Sequence, residues 1–142
     1  MLWKQSHDPA VLQEFSRNTL VDALGIEFLE VGDDFITARM PVDHRTVQPM
    51  RILHGGASVA LAETLGSVAS VLCLDDPASH APVGVEINAN HLSQAKEGTF
   101  VYGTVKALKV GRRMHVWNIK IKDENGKLIC VSRLTIAVIE RR

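Results

Sequence analysis

The sequence predicts one α+β domain, residues 1–142, in which an antiparallel sheet covers a long central helix. Three observations carry this. The 18 residues from Ala57 to Leu74 hold a single charge, Glu63, among small and apolar side chains. Two strand-like runs precede that stretch, and four follow it, separated by turn signals. A composition of 46% apolar and 23% charged residues over 142 positions suits a globular domain large enough to bury a core.

Residues 7–24 read as a helical lead-in. Asp8 is an N-cap with Pro9 at the first helical position, Gly25 is a stop, and Leu12, Phe15 and Leu20 are placed toward a core. Ile26–Val31 and Phe35–Met40 flank Gly32-Asp33-Asp34 and predict a hairpin. Pro41–Pro49 is a polar loop that leads into Leu53-His54-Gly55-Gly56. In the stretch that follows, Ala57, Ser58, Ala60, Ala62, Gly66, Ser67, Ala69 and Ser70 are small, while Val59, Leu61, Leu65, Val68, Val71 and Leu72 are apolar. A helix polar on neither face is expected to be buried all round. It is short for a bilayer span and carries a carboxylate at its middle, so it reads as a core helix that Asp75-Asp76-Pro77 ends, not a membrane helix. Val83–Leu92, Phe100–Val110, His115–Lys122 and Leu128–Ile139 then read as strands. Trp117, Ile119 and Ile121 alternate onto one face, and Asn125-Gly126 marks a hairpin.

Sixteen basic residues balance sixteen acidic ones, which argues against a general nucleic-acid binder. The balance is uneven along the chain. Residues 1–92 hold 5 Lys/Arg against 12 Asp/Glu, and residues 93–142 hold 11 against 4. A basic second half in a neutral chain suggests a local anion site or an internal charge match. Cys73 and Cys130 sit in apolar runs without metal-ligand or CxxC spacing, as buried reduced thiols do. The N-terminus has no apolar h-region, so no signal peptide is expected, and the location expected is cytoplasmic. Scattered histidines without carboxylate partners at ligand spacing predict no metal site.

Glu63 carries the most information as the one ionisable group of the apolar run. A buried, unpaired carboxylate costs several kcal/mol, and the usual responses are a raised pKa or a dedicated partner. Glu63 is either functional, or surface-facing, or paired with Arg39 or Arg133. His54-Gly55-Gly56 stands where a helix N-terminus offers free N–H groups and the positive end of the dipole. That place can hold an oxyanion, or it is a tight entry that needs glycine. Ser67 shares a helix face with Glu63 and either meets a substrate or back-bonds to the preceding turn. Gln48 either orients a carbonyl or a water through its carboxamide or is an ordinary loop residue. The turn Lys109-Val110-Gly111-Arg112-Arg113 is either a phosphate-binding fork or a solvated hairpin end. His91 closes a long strand.

Taken together, Gln48, His54-Gly55-Gly56-Ala57-Ser58, Glu63 and Gly84-Val85-Glu86-Ile87-Asn88-Ala89-Asn90-His91 resemble the hotdog-fold acyl-CoA thioesterases of the PaaI and hydroxybenzoyl-CoA thioesterase type. Within that type the sequence is similar to the dihydroxynaphthoyl-CoA hydrolases and the proofreading thioesterases of enterobactin synthesis. The resemblance covers Trp3 to about Val138. It implies a long helix wrapped by a curved antiparallel sheet, with chains pairing edge to edge and dimers associating into a tetramer. By the same matching, Gln48, His54, Gly55, Glu63 and Ser67 are reaction-centre positions, with Glu63 supplied across the dimer interface. Gly84, His91, Leu92, Ser93, Gln94 and the segment Lys109, Val110, Gly111, Arg112, Arg113 and Met114 match positions that hold the CoA arm. No cofactor is implied. Arg51 departs from the pattern, since close relatives carry a small or neutral residue there, and a long cation at that place bears on the acyl preference. Met50 and Met114 bear on the pocket's shape.

The resemblance therefore implies hydrolysis of an acyl-CoA thioester, with aromatic or medium-chain acyl groups and carrier-protein thioesters as substrate classes. Glu63 would act as nucleophile or as general base. The alternatives are a hotdog hydratase or dehydratase, for which His54 lacks a nearby Asp, and a non-catalytic acyl-CoA-binding module, which would not need Glu63.

Overall fold

A computed structural model describes residues 1–142. The chain forms α1 (Pro9–Phe15), α2 (Leu20–Ala23), β1 (Glu27–Val31), β2 (Phe35–Pro41), α3 (Gly55–Leu72), β3 (His80–His91), β4 (Phe100–Val110), β5 (Met114–Asp123) and β6 (Leu128–Glu140). The six strands make one antiparallel sheet in the order β1-β2-β4-β5-β6-β3. This sheet curves around α3, the architecture that the resemblance implies.

The lead-in departs from its expected form. Asp8 caps α1 by accepting from the Ala10 N–H at 2.8 Å, as its position before Pro9 predicts. The helix then breaks, because Asn18 takes a left-handed φ of 59° and α2 starts afresh. The break turns Phe15 and Leu20 outward, 83% and 63% exposed, so of the three residues placed toward the core only Leu12 packs there.

Strand alternation performs as expected. Trp117, Ile119 and Ile121 are fully buried on the inner face, joined by Leu134 and Ile136 from β6 and by Leu61 and Leu65 from α3. The small residues of α3 admit this sheet closely: a methyl group on Gly66 would lie 2.5 Å from Leu134 Cδ2. The helix is not buried all round, however. Val59, Ala60, Glu63, Thr64, Ser67 and Val68 are half-buried, and Val71 is 41% exposed. The reason is geometric, since the sheet wraps one side of α3 and leaves the other side open in a single chain.

The core holds one polar network that sequence reading did not anticipate. The Trp117 Nε1–H donates to Ser70 Oγ at 2.7 Å, and Ser70 Oγ lies 2.9 Å from His115 Nδ1. A hydroxyl that accepts from the indole and donates to Nδ1 satisfies all three groups when the imidazole is neutral. Burial pushes the His115 pKa below its ordinary 6.5. The unfolded chain therefore takes up a proton near pH 6.5 that the folded chain refuses, and stability falls as pH drops from that value toward the folded pKa. Asp43, Asp76 and Glu97 shift downward too, but they titrate in the carboxylate range, below this window. Melting temperature measured from pH 7.5 to 5 should decline in the wild type and run flatter in His115→Gln.

Candidate functional site

The loop from Val42 to His54 places the entry of α3. Thr46 is buried and its Oγ1 donates to the Pro41 carbonyl at 2.7 Å, while the His54 N–H donates to the Thr46 carbonyl at 2.8 Å. His54 is the N-cap, its backbone extended at φ −69° and ψ 130°. Its Nδ1 accepts the Gly56 N–H at 2.8 Å. An imidazole that accepts at Nδ1 carries its proton on Nε2, so His54 presents a donor to the outside. The Ala57 and Ser58 N–H groups are taken by the His54 carbonyl. Of the four donors at the start of α3, the Gly55 N–H alone has no partner.

Gly55 lines a cavity of about 380 Å³ together with Gln48, Ser58 and His91-Leu92-Ser93-Gln94, with Ile52, Leu53 and Ile129 as its apolar residues. Position 55 stands close to the end of β3: a methyl group there would sit 2.9 Å from Nε2 of His91, an exposed side chain that can turn aside. Gln48 is fixed in the wall by its own turn, its Oε1 accepting from the Met50 N–H. Its two carboxamide protons thus remain available to a ligand. Ser58, buried beside these groups, belongs to the motif His54–Ser58 but was given no site role there; its place four residues after His54 is the signal for one.

Glu63 lies elsewhere. It is half-buried and pairs with neither Arg39 nor Arg133. Arg39 forms its ion pair with Glu27 at 3.0 Å, and Arg133 alternates to the outer face of the sheet, opposite to Leu134. The Glu63 carboxylate instead reaches β3, where a methyl group on Gly84 would meet Oε1 at 2.8 Å. Glu63 and Ser67 line a second, open hollow with Leu20, Val21, Val59, Ala60, Thr64 and Val68. The apolar side chains of α2 and α3 therefore stand directly beside the carboxylate, a contribution of the lead-in that sequence reading missed. Glu63 is eight positions beyond Gly55, about 12 Å along the helix axis and roughly 80° around it.

The predicted site residues thus fall into two groups. One holds Gln48, His54, Gly55 and His91–Gln94. The other holds Glu63, Ser67 and Gly84. The turn Lys109–Met114 is near the second group, because Met114 pairs with Ala137 and Ala137 with Val83. Val110, Gly111 and Arg112 of that turn line a cavity of about 390 Å³ with Lys4, His80 and His115. The two thiols are closed off, and burial pushes Cys73 up to about 11, leaving it without nucleophilic character. No cluster of side chains suited to a metal ion is present.

Between the two groups runs β3, the edge of the sheet. Its 12 residues pair only with β6, and Val83 and Val85 are 36% and 59% exposed. Gly84, at one group, and His91, at the other, are equidistant from the midpoint of Ile87 and Asn88. They stand about 23 Å apart along the strand.

Comparison with known proteins gives a consistent family. Residues 50–130 match the thioesterase superfamily. The chain is 48% identical over 139 residues to the 1,4-dihydroxy-2-naphthoyl-CoA hydrolase of Escherichia coli, covering 98% of this chain and 100% of that one. It is 47% identical over 139 residues to the proofreading thioesterase EntH of Cronobacter turicensis, covering 98% and 99%. Among solved structures, a thioesterase from Haemophilus influenzae superposes with a TM-score of 0.93 at 48% identity, over 99% of this chain and 96% of that one. A mutant thioesterase from Pseudomonas aeruginosa gives 0.95 at 45% identity, over 99% and 100%.

Proposed function

Because the chain belongs to the thioesterase superfamily and has its hotdog fold, we propose that it hydrolyses acyl-CoA thioesters at a site shared between two copies of itself. The observation that carries this reading is the division of the site into two groups on either side of the midpoint of a free strand edge. An antiparallel pairing of β3 with a second β3 about that midpoint sets Gly84 of one chain beside His91 of the other. The partner subunit's Glu63 then faces the Gly55 N–H, which the Glu63 of the same chain cannot reach.

In such a site the thioester carbonyl oxygen accepts from the Gly55 N–H at the positive end of α3, where donor and dipole stabilise the charge that develops on attack. The Nε2–H of His54 and the carboxamide protons of Gln48 orient the thioester or the water. Glu63 either attacks the carbonyl carbon, expelling CoA thiolate and forming a mixed anhydride that water then hydrolyses, or takes the proton of an attacking water as CoA thiolate leaves. The acyl group lies against Val59, Val68, Leu20 and Val21, an apolar surface suited to aromatic or medium-chain groups. The naphthoyl substrate named for the Escherichia coli relative is of that kind. His91–Gln94 and the basic turn Lys109–Met114 hold the CoA arm and its phosphates. The setting is cytoplasmic, where the two buried thiols stay reduced, and two such dimers form the working tetramer.

The test is thiol release on a panel of aromatic, short, medium and long acyl-CoAs and a carrier-protein thioester, together with solution mass. Release that is fastest on aromatic or medium chains by an oligomer is expected. Hydration without thiol release, binding without turnover, or a fully active monomer would each overturn the reading.

A further inference from the structure

Arg51 is one of two residues other than glycine with a left-handed backbone, at φ 62°. It closes the turn Gln48-Pro49-Met50-Arg51, its N–H donating to the Gln48 carbonyl at 2.8 Å while the Gln48 N–H donates to the Ile52 carbonyl at 2.9 Å. This position favours glycine, and a long side chain there is disfavoured unless something outside the turn holds it. The holder is Glu97. Arg51 Nε donates to one carboxylate oxygen at 2.9 Å and Nη2 to the other. The hydrogen-bonded guanidinium keeps the Glu97 carboxyl below the usual range.

The pair is the third rung of a ladder. The Leu53 N–H donates to the Ala95 carbonyl at 2.9 Å, Ile52 bridges Lys96, and Arg51 meets Glu97, the antiparallel register continued through side chains. Gln48, Ile52 and Leu53, on either side of Arg51, line the same cavity as His91–Gln94, the segment that leads into Ala95–Glu97. The pair therefore ties the Gln48 turn to that segment. It also neutralises the guanidinium, so the cation seen in the sequence is not offered to the acyl group.

We propose that Arg51 and Glu97 act together as a positioning clamp for Gln48, fixing its carboxamide against the bound thioester without touching it. This rests on the thioesterase reading for its rate effect and stands apart from it for its structural effect. The experiment compares wild type, Arg51→Gly, Glu97→Gln and the double variant by thiol release and by hydrogen exchange of residues 46–54. Glycine accepts the left-handed φ, so Arg51→Gly removes the clamp while leaving the turn unstrained. Each single variant is expected to speed amide exchange in the turn and lower kcat about three- to tenfold with KM within about twofold. The double variant should be no slower than either single one, and Arg51→Lys, which keeps the charge but not the fork, should regain part of the loss. Unchanged kcat or unchanged exchange in both single variants, or losses that multiply in the double, would overturn the clamp. A wild type that releases no thiol from any substrate defeats the thioesterase reading, and exchange still decides whether the pair holds the turn.

Discussion

Glu63→Gln is expected to lower kcat on the best acyl-CoA by about a thousandfold, within the range found when a catalytic proton acceptor is removed. Glutamine keeps the volume and the contact with Gly84 but can neither attack nor accept a proton. The stability of the variant should match the wild type, because the carboxylate makes no ion pair whose loss could unfold the chain. Binding of CoA should persist, since the substitution keeps the contact with Gly84 and leaves His91–Gln94 and Lys109–Met114, the groups proposed to hold it, unaltered. Thiol release in single-turnover mode, with calorimetric CoA binding on the same preparation, measures both. A variant that keeps more than a small fraction of turnover would remove Glu63 from the mechanism.

The second large effect concerns one backbone hydrogen. Proline at position 55 deletes the only unpartnered N–H at the start of α3, and both of its backbone demands are already met. It would stand at the first helical position, where proline is favoured, and His54 before it is in the extended conformation that a following proline requires. Its side chain would press on His91, as would that of alanine. The informative comparison is therefore Gly55→Pro against Gly55→Ala, which share that contact and differ in the donor. Gly55→Pro should be slower in kcat by a further 10²- to 10³-fold or so, the usual loss for one oxyanion donor. Equal rates for the two variants would remove the Gly55 N–H from the reaction.

The order of elements was legible in the sequence because alternation and helix period survive as local patterns. Trp117, Ile119 and Ile121 alternate, and they are buried. Asp8 before Pro9 and His54 before the two glycines mark helix starts, and both are caps. What failed was whatever depends on a distant neighbour or on one dihedral. The lead-in pattern placed Phe15 and Leu20 on an inner face, but the left-handed Asn18 breaks the helix, and periodicity carries no sign of that. Composition likewise shows that α3 is apolar, not that the sheet wraps one side only.

The site divides the same way. Glu63 could be singled out by residue type and placing, and the His54-Gly55 entry gained weight from it, whereas Gln48 is an ordinary loop residue until the family resemblance sets it beside them. The tautomer of His54 could not, because it follows from an N–H two residues on. Nor could the contact of Glu63 with Gly84, the pairing of Arg51 with Glu97 or the Ser70–His115 bond, each of which joins segments that only the folded sheet brings together.

The bare edge of β3 also has a cost during synthesis. A newly made chain presents a row of unsatisfied amides flanked by exposed valines, the kind of template on which misassembled stacks grow. Two features of the strand blunt it: Pro82 removes a donor from the row, and Glu86 adds a charge that stacked copies would repel. Faster synthesis or a higher dose of the protein would then raise the share of this polypeptide lost to inclusion bodies.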